Sequence, residues 1–166
     1  MATASKLHGK TEFTRPSPTE VRATRTYDAP AALVWECYTK PEHVSKWLLG
    51  PDNWSMPVCE IDLRVGGAWK YLWRSNDGSQ PEFFMSGEFT EIDAPKRLVY
   101  TERFMGQDPA STNIGEITEV NGRTTVVATS KYPSKEITEQ VLATGMESGW
   151  GESQERLATY LDSVRR

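Results

Sequence analysis

The apolar positions of this chain change their period along its length. From Cys59 to Lys131 apolar and polar residues alternate, the mark of strands with one buried face. Cys59, Ile61 and Leu63 share one strand face, and Arg64–Gly67 supplies a turn. On the next strand Trp69, Tyr71 and Trp73 alternate with Ala68, Lys70 and Leu72. Ser75–Gln80 turns around Asp77-Gly78. Glu82–Ile92 then presents Phe83, Met85, Gly87 and Phe89 on one face. Asp93–Lys96 turns, Leu98–Phe104 is extended, and Gly106–Thr112 is a polar loop. Ile114–Val120 and Thr124–Lys131 flank Asn121-Gly122, a dipeptide that suits the two left-handed positions of a tight hairpin.

Beyond Lys131 the spacing becomes helical. Met146, Trp150, Leu157 and Leu161 fall on one face, and Glu147, Glu152, Gln154, Glu155 and Arg156 fall mostly elsewhere, which predicts an amphipathic helix reaching Val164. Thr144 followed by Glu147 reads as a capping box that restarts a helix. Ser134 caps a shorter one over Lys135–Ala143. Gly145, Gly149 and Gly151 lie in or beside the first turns of the long helix. They are expected to mark a close helix–sheet contact or space left open beside Trp150.

Before Pro57 the pattern is mixed. Residues 1–19 read as a mobile arm with Thr11–Arg15 extended. Val21–Tyr27 alternates weakly and predicts the first strand. Asp28-Ala29-Pro30 opens a helix, with Asp28 or Ala29 near the cap and Pro30 in the first turn. Ala32–Thr39 carries Leu33, Val34, Trp35 and Tyr38 until Lys40-Pro41 breaks it. A second short helix, Pro41–Trp47, carries Val44 and Trp47. Leu48–Pro57, with Gly50, Pro51 and Trp54, reads as a loop.

The predicted order is one strand, two short helices, about six antiparallel strands and a long helix. This is an α+β domain over residues 20–166, with an antiparallel sheet that buries one face. The only element long enough to cover the concave face is the last helix.

Composition narrows the function. The chain has 166 residues, enough for one domain with a substantial core, and carries 37% hydrophobic residues and a net charge of −4. With a pI near 5.3, a mean hydropathy of −0.57 and no basic stripe, neither nucleic acid nor an anionic membrane is an expected partner. No apolar run approaches a membrane span, and the N-terminus lacks a signal-peptide core, so a cytoplasmic location is expected. Cys37 and Cys59 have no metal-type or CxxC spacing and read as buried thiols. His8 and His43 are the only histidines, which excludes a histidine-rich metal site; His43 is expected on the surface. No metal and no cofactor is expected.

The six tryptophans, Trp35, Trp47, Trp54, Trp69, Trp73 and Trp150, fall on every element that could meet between sheet and long helix. An ordinary aromatic core accounts for any one of them. As a set with a few polar groups they resemble the lining of a small-molecule site. The candidate lining is Trp35, Tyr38, Trp47, Trp69, Tyr71 and Trp73, then Phe83, Met85 and Glu102 from the sheet. Met146, Gly149, Trp150 and Ser153 join from the last helix. Among the strand carboxylates, Glu102 shares the face of Leu98, Tyr100 and Phe104 and is the one candidate to point inward, a surface or paired carboxylate being the ordinary alternative; burial would raise its pKa and suit it to anchor a ligand or act as an acid. There is no Ser-His-Asp order and no phosphate loop. Arg64-Val65-Gly66-Gly67 runs into a strand, not a helix.

Specific motifs carry a resemblance. Pro30, Val34-Trp35, Thr39-Lys40-Pro41-Glu42, Trp47 and Gly50-Pro51 stand in the opening segment Ala29–Pro51. Asp62-Leu63-Arg64-Val65-Gly66-Gly67-Ala68-Trp69 follows, then Gly87–Pro95, then Gly145–Trp150 with Leu157. Over roughly Val21–Val164 the chain resembles the activator-of-heat-shock-protein-ATPase-like family, in the START-like (SRPBCC, birch-pollen-allergen-like) superfamily. The resemblance implies the helix-grip fold, a curved antiparallel sheet around a long C-terminal helix with a cavity between. It implies no single catalytic set, since the superfamily spans lipid and hormone binders, cyclases and aromatases, and oxygenase domains. The family's name comes from a chaperone cofactor that also uses a separate N-terminal domain. Only about twenty residues precede the first strand here, so chaperone ATPase stimulation is not the expected activity.

The leading expectation is a binding protein for a small hydrophobic molecule, such as a lipid or a polyketide-like or aromatic metabolite. An enzyme of cyclase, dehydratase or hydrolase type using the same cavity is the first alternative, and a chaperone-linked interaction module the second. A homodimer is compatible with either.

Overall fold

The computed structural model describes residues 10–164. Eight strands form one antiparallel sheet: β1 Glu12–Ser17, β2 Glu20–Tyr27, β3 Trp54–Ile61, β4 Ala68–Ser75, β5 Phe83–Asp93, β6 Arg97–Phe104, β7 Ser111–Val120 and β8 Arg123–Lys131. The helices are α1 Ala31–Thr39, α2 Pro41–Trp47, α3 Lys135–Ala143 and α4 Met146–Val164. Across the sheet the order is β1-β2-β8-β7-β6-β5-β4-β3. β2 and β3 therefore lie toward opposite edges, and α1 and α2 carry the chain between them. This is the helix-grip α+β architecture.

Local chemistry explains the boundaries. Asn121 (φ 53°) and Gly122 (φ 77°) take the two left-handed positions that join β7 to β8, and pairing runs outward from Val120 opposite Arg123. The Ser134 side chain accepts from the Ile137 N–H and starts α3. Thr144 does not start α4. It closes α3, its hydroxyl donating to the Val141 carbonyl at 2.6 Å, and Gly145 at φ 82° turns the chain so that α4 begins at Met146. Pro30 is the cap residue of α1, one position before the helix proper.

Two segments read as a mobile arm with an extended stretch and as a loop contribute strands to the sheet. Part of the expected arm, Glu12–Ser17, is edge strand β1, with Phe13 opposite Ala23; residues 1–9 lie outside the described residues. Its anchor is polar: Thr11 Oγ1 donates to Gln154 Oε1 at 2.6 Å, and the buried Arg25 reaches both Thr11 (3.2 Å) and Glu155 (3.1 Å). Trp54, expected in a loop, begins β3 and packs edge-on against Phe83, ring centroids 5.6 Å apart.

The C-terminal half of α4 seals the core. Leu157, Ala158 and Leu161 are fully buried and join Tyr27, Phe89, Leu98, Ile117 and Val126 from the sheet and Val34, Trp35 and Cys37 from α1. Every described helix is too short or too polar to cross a membrane.

Candidate functional site

The N-terminal half of α4 does not seal the sheet as its C-terminal half does. Strand register places Tyr71 opposite Met85, Trp73 opposite Phe83, and Met85 opposite Phe104, so these residues share the concave face. Tyr71, Trp73, Phe83, Met85 and Tyr100 are only half-buried, and Phe104 is 54% exposed. The rings form a continuous run. Trp73 stacks on Phe83 (5.2 Å, 24°), Phe83 meets Phe104 (5.9 Å), and Tyr71 stands edge-on to Trp73 (5.9 Å) and tilted against Trp69 (4.8 Å).

Glu102 belongs to this face, on β6 beside Tyr100. It is surrounded by protein yet keeps accessible surface. Its Oε2 accepts from Asn113 Nδ2 at 3.2 Å, and Ser130 Oγ donates to Asn113 Oδ1 at 2.6 Å, which fixes the orientation of the amide. Loss of hydration raises the Glu102 carboxyl above its ordinary range; the Asn113 hydrogen bond opposes this only in part. Desolvation and then the Glu102 charge push the Tyr132 hydroxyl up to about 12. Burial and Glu102 likewise push Tyr100 well above the phenol range, and Tyr71 is raised by burial, Tyr100, Cys59 and Glu102. All three phenols are therefore neutral near pH 7. The expected inward direction of Glu102 agrees with this geometry. Asn113 and Ser130 are the neighbours that sequence reasoning missed. Counting outward from the Asn121-Gly122 turn pairs Asn113 with Ser130, so the hairpin held the signal.

The other candidates fall elsewhere. Trp35 (8% exposed) and Trp47 (1%) are core residues, and the Trp47 indole donates to the Cys37 carbonyl at 2.8 Å. Trp69 is 3% exposed and crosses Gly87 to donate to the Thr101 carbonyl at 3.1 Å. Tyr38 is half-buried, edge-on to Trp47 at 4.9 Å, its buried hydroxyl near Tyr27 and Gln154 and pushed by burial up to about 12. Met146 and Trp150 are half-buried at the start of α4, and Trp150 faces Trp47 at 6.4 Å. Gly149 does not face the sheet: a Cβ there would meet Pro51 Cδ at 3.6 Å. The buried Ser153 hydroxyl accepts from the Gly50 N–H at 2.7 Å and so holds the loop after α2. Glycine carries no facing information in sequence, and serine serves a loop as readily as a ligand.

His43 is not simply solvated; its Nδ1 lies 2.6 Å from the Tyr160 hydroxyl. Cys37 is buried and Cys59 half-buried, and desolvation pushes the two thiols up to about 12 and about 11, so both are protonated. Among the described residues no group of three His, Cys, Asp or Glu side chains could hold a metal ion. On the convex face a depression of about 340 Å³ lies over Ala68 and Ser86, walled by Glu60, Lys70, Glu88 and Arg103. Its walls are charged and open to solvent, and it does not include the half-buried aromatic run.

The fold is shared with solved structures. A Rhodobacter sphaeroides protein is 20% identical, with a TM-score of 0.86 over 94% of this chain and 100% of its own. A Mycobacterium smegmatis protein is 26% identical, with a TM-score of 0.83 over 94% of this chain and 99% of its own. A protein from Aeromonas hydrophila, described as AHSA1-like, is 22% identical, with a TM-score of 0.66 over 84% of this chain and 94% of its own. No curated protein sequence matches. The profile of the family described as activator of Hsp90 ATPase homolog 1-like protein matches residues 28–162, from three residues before α1 to the last turn of α4, and the chain belongs to that family.

Proposed function

We propose that the chain binds a small, largely apolar molecule against the concave face of β4, β5 and β6, beside the start of α4. The observation that carries this reading is the partly exposed run of Tyr71, Trp73, Phe83, Met85 and Tyr100, beside the exposed Phe104, on a sheet face whose Phe89, Leu98, Ile117 and Val126 are buried with Leu157 and Leu161 of α4. Aromatic surface left beside water in a folded chain is surface that an apolar partner gains by covering. Covering about 200 Å² supplies about 5 kcal/mol before ordering costs. Micromolar affinity needs about 8 kcal/mol, so a polar anchor has to contribute, and Glu102 is the polar group on this face. A binding role also fits the fold, which generally takes hydrophobic ligands. Catalysis is less well supported: among the described residues the Glu102 carboxylate is hydrogen-bonded to the Asn113 amide and to no second acid or base.

The test is native mass spectrometry of freshly purified protein, followed by tryptophan fluorescence against fatty acids, flavonoids and polyketide-like aromatics. A bound mass, or a shift in emission that Trp73→Phe abolishes, is the expected result. An adduct-free spectrum together with unchanged emission across the panel overturns the reading.

A further inference from the structure

Glu102 faces inward without a cation. The arginines of its own strand project from the other face and already hold carboxylates: Arg103 pairs with Asp108 at 2.9 Å, and Arg97 with Glu91 at 2.6 Å and Glu116 at 3.2 Å. The buried Arg25 is held by Glu155. Among the described residues no ion pair reaches Glu102. Its partner is the neutral Asn113 amide, bound to Oε2, and Ser130 locks that amide so that an N–H and not the carbonyl faces the carboxylate. Oε1 takes no hydrogen bond from a described side chain, and the Glu102 residue keeps partial exposure although protein surrounds its carboxyl. The groups close enough to feel the Glu102 charge are the phenols of Tyr71, Tyr100 and Tyr132, and the rings of Trp69 and Trp73 pack against Tyr71.

A carboxylate among aromatic rings is a definite chemical preference. The ring faces attract a cation and disfavour an anion. A ligand carboxylate would set like charges together, and a neutral alcohol would leave the Glu102 charge buried without compensation. A ligand ammonium brings the missing charge, donates to the free oxygen, and rests its carbon body on the aromatic run.

We propose that this site takes the ammonium group of an otherwise apolar amine, with Glu102 as its counter-ion, oriented by Asn113 and Ser130. This rests on the concave face being the binding site, and the experiment separates the two. Octylamine, octan-1-ol and octanoate share one body and differ in charge. Each is titrated into the full-length protein by calorimetry at pH 8. Octylamine should bind about tenfold more tightly than octanol, as one cation–π and ion-pair contact allows, with octanoate the weakest. Glu102→Gln, checked for an unchanged circular dichroism spectrum, should erase the preference for octylamine over octanol, since it removes the counter-charge. Equal binding of octylamine and octanol to the wild type, or preference for octanoate, overturns the ammonium assignment and leaves the apolar site standing. Binding of none of the three removes the apolar site and the ammonium assignment with it. The wild-type comparison needs no variant, so a Glu102→Gln chain that failed to fold would not rescue the proposal.

Discussion

Trp69 occupies the space that a side chain at Gly87 would need. A Cβ at Gly87 would fall on the Thr101 carbonyl oxygen and lie 2.8 Å from Trp69 Nε1, the atom that donates to that same carbonyl. Glycine here is a packing requirement imposed from the neighbouring strand. Gly87→Ala should therefore destabilise the domain by about 2–3 kcal/mol, combining overpacking with loss of the indole hydrogen bond. Urea denaturation measures it, and an unchanged midpoint would sink the placement.

Gly149 behaves oppositely. It lies inside α4, its N–H bonded to the Gly145 carbonyl at 3.2 Å, and an added methyl would make ordinary contact with Pro51. Gly149→Ala is expected to stabilise the chain by about 0.5–1 kcal/mol through helix propensity. A lower melting temperature would show that the helix packs more closely there than the Pro51 contact indicates.

Glu102 makes stability depend on pH in a specific direction. Folding raises its carboxyl above the ordinary value of 4.5, so between that value and the raised one the folded chain holds more protons than the unfolded chain. The residue's contribution is most favourable below this window and is lost as pH rises through it. Glu102→Gln removes the dependence. The variant should melt above the wild type at pH 7–8, and its advantage should fade toward about pH 4. Thermal melts across this range decide it, and a constant offset at every pH would reject the assignment.

The Arg25–Glu155 pair has one deeply buried partner: the arginine side chain is 2% exposed and the glutamate 47%. Glu155→Ala leaves a buried guanidinium short of its counter-charge and should cost about 1–2 kcal/mol, moderated because Glu155 is half in water. Adding Arg25→Met should recover most of the loss. A double-mutant cycle showing simple additivity would deny the coupling.

Sequence periodicity made most of this fold legible because a half-buried sheet writes its two faces into alternate residues. Parity with Leu98, Tyr100 and Phe104 marks Glu102 as the strand carboxylate able to point inward, and its carboxylate meets the Asn113 side chain there. β1 was legible only as an extended stretch over Thr11–Arg15 and not as part of the sheet, since Glu12–Ser17 carries a single large apolar residue, Phe13, and Pro16; Thr11 beside it reaches across to α4. Trp47 and Trp73 look alike in sequence. Their difference, one sealed in the core and one half open beside Phe83, arises from where α4 lies over the sheet, which no local pattern states.

The meeting of β1 with α4 also bears on the order in which the chain can finish folding. Thr11 and Arg25 emerge well before their partners Gln154 and Glu155, and before Leu157 and Leu161, which close the core. The sheet can pair strand by strand as it leaves the ribosome, but its apolar face has no cover until the final helix arrives. Translation that stalls after β8 would release a chain with a complete sheet and an uncovered concave face, a substrate for holding chaperones and proteases, and completion of α4 is the event that takes it out of their reach.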